Sequence, residues 1–270
     1  MFNITRSGLD AIGKELGVIS NNIANSNTNA FKSSRSEFVD FYSKALSASP
    51  NSKGGLGAML QGTQKIMKQG SPILTGSALD LTISGKGFFI LSPREDADPR
   101  FTRDGSFSLD ATGNLVTTEG FNVAGYTRNE DGNINYGSAL PINIPLTIES
   151  SDGRTIFLSQ ININNKGIIE TTYGLNTIIK RGQIALAKFN NEIQLKSTGA
   201  NTYQATEASG EQILGSAMTS NFGQILAGAL ESSNTNISIE MINLIKTQQA
   251  FNGNARILQS NVEVTRRLMS

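Results

Sequence analysis

Cysteine, histidine and tryptophan are all absent from the 270 residues, and 23 Lys and Arg against 22 Asp and Glu leave a formal net charge of only +1. Without Cys there are no disulfides, thiolate nucleophiles or sulfur-ligated metals. Without His the usual general base near neutral pH and the commonest transition-metal ligand are gone. Most hydrolytic triads and zinc chemistries are thereby excluded. Lys and Arg are dispersed and form no basic stripe to neutralise phosphates, so nucleic-acid binding is not expected. Nowhere do about 18 apolar residues run together, so no membrane insertion is expected. The opening Met1-Phe2-Asn3-Ile4-Thr5-Arg6-Ser7-Gly8 has no basic stretch followed by an apolar run, and no cleaved signal peptide is expected from it. What remains is a chain long enough for one large domain or two small ones, each with a real core.

Helical periodicity is present at both ends. Leu9, Ile12, Leu16, Ile19 and Ile23 recur at alternating spacings of three and four, one stripe of a helix, beside a second stripe of Ile4, Ala11 and Val18. Toward the end, Met241, Leu244, Phe251, Leu258 and Val262 keep a heptad rhythm with Ile237 and Ala255, and Ile239, Ile242 and Ile245 add another apolar face. Thr235 and Asn236 can cap the second helix, with Glu240 in its first turn and Arg266 and Arg267 in its last. A single stripe is ordinarily the face a helix lays on its own core. Two stripes on each helix predict two partners, one within the chain and one in another subunit. At about 1.5 Å per residue, segments 3–27 and 237–268 span roughly 38 and 48 Å, long enough for a two-helix coiled coil. Gly8, Gly13, Gly17 and Gly253 each cost about 1 kcal/mol relative to Ala in a helix interior, so these helices depend on packing.

Between the helices the pattern is that of short strands. Leu79-Asp80-Leu81-Thr82-Ile83, Ile142-Asn143-Ile144, Gln160-Ile161-Asn162-Ile163-Asn164 and Glu192-Ile193-Gln194-Leu195-Lys196 alternate apolar and polar residues. Asp104-Gly105, Asp131-Gly132, Asp152-Gly153 and Thr112-Gly113-Asn114 read as turns between strands. Gly and Ser are frequent over 43–63, which predicts an extended connection. The expected architecture is α+β. Residues 1–32 and 234–270 form a helical terminal domain, 33–70 a linker, and 71–233 a central, mostly antiparallel β domain.

Candidate chemical motifs have plainer explanations. Gly85-Lys86-Gly87-Phe88-Phe89 has neither the third glycine nor the following helix of a dinucleotide loop, and reads as a tight turn before a buried aromatic pair. Asp104, Asp131 and Asp152 would be the candidates for the paired carboxylates of a glycosidase, but each precedes a glycine, as turn chemistry requires. The cluster Glu95-Asp96-Ala97-Asp98 lacks the spacing and glycine of a calcium loop. No catalytic, cofactor-binding or metal-binding residue is assigned, and no cofactor is expected. A secreted carbohydrate-binding protein or glycosidase would need a convergent pocket of carboxylates or aromatics, for which 5 Tyr and no Trp are poor material.

The most distinctive stretch is Ser20-Asn21-Asn22-Ile23-Ala24-Asn25-Ser26-Asn27-Thr28-Asn29-Ala30-Phe31-Lys32. Asn and Ser compete with the helical backbone for hydrogen bonds, so this run predicts the end of the first helix. It resembles the hallmark of the bacterial flagellar rod and hook proteins, whose first helix ends in an Asn-Asn-hydrophobic-Ala-Asn segment followed by an aromatic-Lys pair. Asn21, Asn22, Ala24, Asn25, Phe31 and Lys32 carry that likeness. Further matches follow in collinear order: Leu79 to Phe89, containing Gly85, Gly87, Phe88 and Phe89, then Phe101 to Phe107 with Arg103 and Gly105, and Gly228 to Asn236 with Ser233 and Asn234, leading into Glu240-Met241-Ile242-Asn243-Leu244-Ile245.

The resemblance implies a non-enzymatic structural subunit of the flagellar axis that polymerises helically and transmits motor torque. It implies as partners further copies of the chain itself, neighbouring rod, hook and junction proteins, and the flagellar export apparatus. It implies location in the basal body or hook, from periplasm to cell exterior. Leu9, Ile12, Leu16, Ile19, Ile23, Met241, Leu244, Phe251, Leu258 and Val262 would pack the tube. The span from Gly125 to Gly210 is too short for the extra outer domain usual in hook proteins, which favours a rod type. Gly120 to Tyr126, Gly182 to Ala187 and Leu230 to Asn234 look more hook-like, so a hook protein without a large outer domain is the alternative.

Overall fold

A computed structural model describes residues 2–42, 55–92, 98–127, 139–149, 154–175, 177–219 and 221–269. These fall into two compact units. The first comprises residues 1–27, 32–68 and 234–270, and the second comprises 28–31 and 69–233.

The first unit is built on two helices, α1 (Phe2–Ala24) and α2 (Ile237–Met269). The Asn and Ser run ends α1 as its chemistry predicts. Asn25 donates from both its backbone N–H and its side-chain amide to the Asn21 carbonyl, and Ala30 turns into the left-handed region at φ 54°. Asn236 caps α2, its Oδ1 accepting the Ile239 N–H at 3.2 Å. The helices pack on each other antiparallel. Asn22 meets Glu240, and a side chain at Gly8 would touch Asn254, so the two points of contact lie 14 residues apart on each helix (22 to 8 and 240 to 254).

The described residues at both ends of the extended linker expected over 33–70 form regular structure. Ser34–Tyr42 and Gly55–Lys65 pair as antiparallel strands against α1. Gly and Ser weaken the local preference for a strand without forbidding it, and ladder bonds and packing on the helix supply the rest. At Gly57, φ is +107° and a Cβ would collide with the Ser7 hydroxyl, so glycine is what lets the strand lie this close to α1. Residues 43–54 of the predicted linker lie outside the described residues.

Among the described residues every strand pairing of the second unit is antiparallel. Among the described residues its main sheet has thirteen strands, and the long strand Thr177–Lys188 ties it together. That strand pairs in turn with Ile168–Tyr173, Asn122–Thr127, Phe88–Ser92 and Ile213–Ser216. Successive side chains of a strand face opposite ways, and Phe88 and Phe89 show the consequence. Phe89 enters the aliphatic core with Leu81, Ile83, Leu115 and Ile184 and meets Phe107 edge-on at 5.1 Å. Phe88 points to an aromatic cluster on the other face, 6.2 Å from Phe189 and 5.9 Å from Tyr203. The predicted buried aromatic pair thus serves two cores.

One predicted strand is absent. Glu192–Gln194 form a 3₁₀ turn, and the strand begins only at Lys196. Alternation over 192–196 buries Leu195 but leaves Ile193 exposed. The Leu195 N–H bonds back to the Glu192 carbonyl and makes no ladder contact. Asp131-Gly132, Asp152-Gly153 and residues 95–97 of the acidic cluster lie outside the described residues.

The two described turns behave as their chemistry requires. Asp104 Oδ1 accepts from both the N–H and the hydroxyl of Ser106. Asp110 accepts from the backbone N–H groups of Asn114 and Thr112 and the Thr112 hydroxyl, bonds that hold its carboxyl below the usual carboxylate range. Gly105 packs so closely that a Cβ would collide with the Leu81 carbonyl. Gly105→Ala is expected to destabilise the β unit by roughly 3 kcal/mol, the upper end of what overpacking costs. A lowered guanidinium midpoint with an unchanged slope would show it.

Candidate assembly interface

The Lys32 carbonyl and the backbone N–H and C=O groups of Ser33 and Ser34 are all partnered, several of them by side-chain amides. Asn22 is 2% exposed, and its amide brackets Ser34: Oδ1 accepts the Ser34 N–H at 2.9 Å while Nδ2 donates to the Ser34 carbonyl at 2.8 Å. The same Nδ2 donates to Glu240 Oε1 at 3.2 Å. Asn234 Oδ1 accepts the Ser33 N–H at 2.8 Å, and its Nδ2 donates to the carbonyls of Ile66 and Lys68 at 2.7 and 2.9 Å. Buried Lys32 donates to the Lys68 carbonyl at 2.9 Å. Half-buried Lys65, whose ammonium pKa is pushed down by desolvation, donates to the Lys32 carbonyl at 3.1 Å. This clamp joins α1, the strand pair and the lead into α2.

The helix surfaces complement the clamp. On α1, Ile19 is buried and Leu9, Ile12, Leu16 and Ile23 are half-buried. On α2, Leu244 and Leu258 are half-buried, whereas Met241, Phe251 and Val262 are exposed. The side of α2 that turns inward is mixed: Glu240, Asn243, Thr247, Asn254 and Asn261 alternate with Leu244, Ala255 and Leu258. Apolar residues cover the outer arc: Met241 is 51% exposed, Ile242 53% and Ile245 55%, with Ile237 and Ile239 beside them. Over its first turns α2 therefore exposes a cluster of large apolar side chains that an ordinary surface helix would turn inward.

Remaining motif residues have structural work within the β unit. Gly85 and Gly87 sit at φ +116° and +133°, turning the chain from Leu81–Ser84 into Phe88–Ser92. Arg103 is buried, with its guanidinium over the Phe88 ring at 5.2 Å, 2.9 Å from the Gly85 carbonyl and 3.5 Å from Glu231 Oε2. Glu231 Oε1 accepts the Gly70 N–H at 3.0 Å, and its carbonyl accepts the Ala30 N–H at 2.7 Å. Asn21 and Ala24 are exposed, Asn25 and Ser233 are half-buried, and Phe31 is buried. Glu231 and Glu240 went unnoticed as partners in the sequence, because residues far apart in the chain carry no local mark of their meeting. Among the described residues, no group of three or more acidic side chains could hold a metal ion, and no helix is long and apolar enough to cross a membrane.

Tyr203 reports on the same buried pair. Burial raises its phenol pKa; Arg103 opposes the rise and Glu231 reinforces it, and the outcome is about 12 against an ordinary 10.0. A folded-state pKa above the unfolded one contributes stability that is complete below pH 10 and is lost as pH rises through 12. The β unit is expected to lose roughly 2–3 kcal/mol across that window through this residue. Tyr203→Phe should remove that part of the alkaline loss in melts at pH 9 and pH 12.

Comparison with known proteins decides the family. Residues 2–32 match the family described as flagella basal body rod protein, 82–171 the flagellar hook protein FlgE/F/G D1 domain, and 226–270 the flagellar basal body rod FlgEFG protein C-terminal. The flagellar basal-body rod protein FlgG of Buchnera aphidicola subsp. Schizaphis graminum is 34% identical, over 98% of this chain and 96% of its own. The chain belongs to the flagellar rod and hook protein family. FlgG of Agrobacterium fabrum is 31% identical over 97% of this chain and 95% of its own. The hook protein FlgE of Salmonella typhimurium is 25% identical over the whole of this chain and 99% of its own, in an alignment of 407 positions. In this family setting the turn roles of Asp104 and Asp110, the clamp and the apolar outer arc of α2 are parts of a structural subunit.

Proposed function

We propose that this chain is a rod-type subunit of the flagellar basal body that polymerises helically and transmits motor torque. The observation that carries the reading is the exposed apolar arc on the first turns of α2, Ile237, Ile239, Met241, Ile242 and Ile245. An exposed apolar arc on a helix whose inner side is already packed calls for a second subunit. In the polymer α1 and α2 form the coiled-coil terminal domain that builds the tube, from segments 1–32 and 234–270, and the β domain of 71–233 forms an outer layer.

Length supports rod over hook. Alignment with the Salmonella hook protein needs 407 positions, against 270 residues here, while the rod relatives match nearly end to end. Neighbouring subunits are further copies of this chain and the adjoining rod, hook and junction proteins, reached through the flagellar export apparatus and assembled outside the inner membrane. Electron microscopy of purified hook and basal bodies carrying a labelled subunit tests this directly. Label along the straight rod is expected, and label confined to the curved hook would overturn the assignment.

A further inference from the structure

We propose that Asn22 is the residue that sets the register of α1 against α2, by holding Glu240 to the start of the strand Ser34–Tyr42. The inner side of α2 repeats every seven residues as Glu240, Thr247, Asn254 and Asn261. Each is wholly or partly shielded from solvent. The apolar row beside it, Ile237, Leu244, Phe251 and Leu258, has the same seven-residue spacing, so a slip of one repeat sets polar against polar and apolar against apolar almost equally well. A single buried polar pair can then specify the alignment, at some expense in stability.

Asn22 has the geometry for that task. It is the buried side chain on α1 whose amide bonds across to α2, through Nδ2 and Glu240 Oε1 at 3.2 Å. Both atoms of that amide are at the same time bonded to the Ser34 backbone. Ser34 is in turn fixed by its ladder to Lys65. The amide therefore cannot follow Glu240 if α2 slides. A slip of seven residues would leave the Asn22 amide facing Thr247, whose shorter side chain replaces the carboxylate, and would carry Glu240 past Ala24, where α1 ends. The contact is positional because one of its ends is anchored to the backbone.

The absence of Cys gives a clean readout. A Gly8→Cys/Asn254→Cys pair reports the observed register, since a side chain at Gly8 would lie 3.6 Å from Asn254 Nδ2. A Gly8→Cys/Asn261→Cys pair reports a slip of one repeat. Full-length protein is treated with a short bifunctional maleimide, and the ratio of the two linked products is measured by mass spectrometry. In the otherwise unaltered chain the 8–254 link should exceed the 8–261 link at least tenfold. Asn22→Asp would set two carboxylates against each other and remove the amide donor, and should lower that ratio at least fivefold. Adding Glu240→Gln restores an interhelical hydrogen bond with its direction reversed, and should recover the ratio.

An unchanged ratio in Asn22→Asp, or no recovery in the double variant, would overturn the proposal. Loss of both links in Asn22→Asp would also overturn it, because Asn22 would then support folding of the helix pair without selecting its register.

Discussion

Replacing Arg103 by Met is expected to destabilise the β unit by about 3–5 kcal/mol, the range for removing one partner of a buried ion pair. The Arg103 and Glu231 side chains are 4% and 0% exposed. Taking away the guanidinium leaves an ionised carboxylate in the interior without its counter-charge, and leaves the Gly85 carbonyl without the donor at 2.9 Å. It also removes the cation above Phe88. Methionine fills much of the volume, so the loss is one of charge and hydrogen bonding more than of packing. The double variant Arg103→Met/Glu231→Gln should be more stable than the single one, because the stranded charge is gone while a side-chain oxygen remains for the Gly70 N–H. Guanidinium unfolding followed by tyrosine fluorescence checks both. There is no Trp to obscure it, and Tyr126, Tyr173 and Tyr203 are all buried in this unit. A single variant within about 1 kcal/mol of wild type would mean that water reaches the pair and solvates it, which surface pairs of that worth allow.

Ile242→Asp/Ile245→Asp is expected to abolish polymerisation and motility while changing the unfolding free energy of the isolated chain by no more than about 0.5 kcal/mol per substitution. Both side chains are more than half exposed in the single chain, so little packing is lost there. In a polymer the same positions would be buried between subunits, where two unpaired carboxylates each carry a desolvation cost of several kcal/mol. Motility in soft agar, sedimentation of the purified subunit and its melting curve separate the two effects. Normal motility would remove the outer arc of α2 from the assembly surface. A large drop in monomer stability would show that the arc is packed within the chain.

Much of the architecture can be read from local chemistry. The second helix expected over 237–268 is observed over Ile237–Met269, capped by Asn236 as its side-chain chemistry allows. The Asn and Ser run ends the first helix at Ala24. Asp104-Gly105 and Thr112-Gly113-Asn114 turn the chain because Asp side chains accept their own downstream N–H groups. Each of these outcomes depends on residues within four positions of one another. Composition was enough to direct attention away from hydrolytic and zinc chemistry, since it withholds the side chains those reactions use.

Where local chemistry was neutral or divided, tertiary contacts decided. The glycines within Gly55–Lys65, part of the Gly- and Ser-rich 43–63, were outweighed by cross-strand pairing and packing on α1, whereas strand alternation over 192–196 gave way to a local 3₁₀ turn. Two apolar stripes on α2 announce that two surfaces exist but leave open which one the chain covers itself. That choice rests on Asn22 meeting Glu240, 218 residues away, which turns Leu244 and Leu258 inward and leaves Met241, Ile242 and Ile245 outside. The Arg103–Glu231 pair, 128 residues apart, is likewise invisible to periodicity. Kinds of element, their turns and caps, and the family motifs can be read along the chain, because they depend on near neighbours. Which faces are buried and which charges meet emerges from the fold, because those depend on residues far apart in sequence.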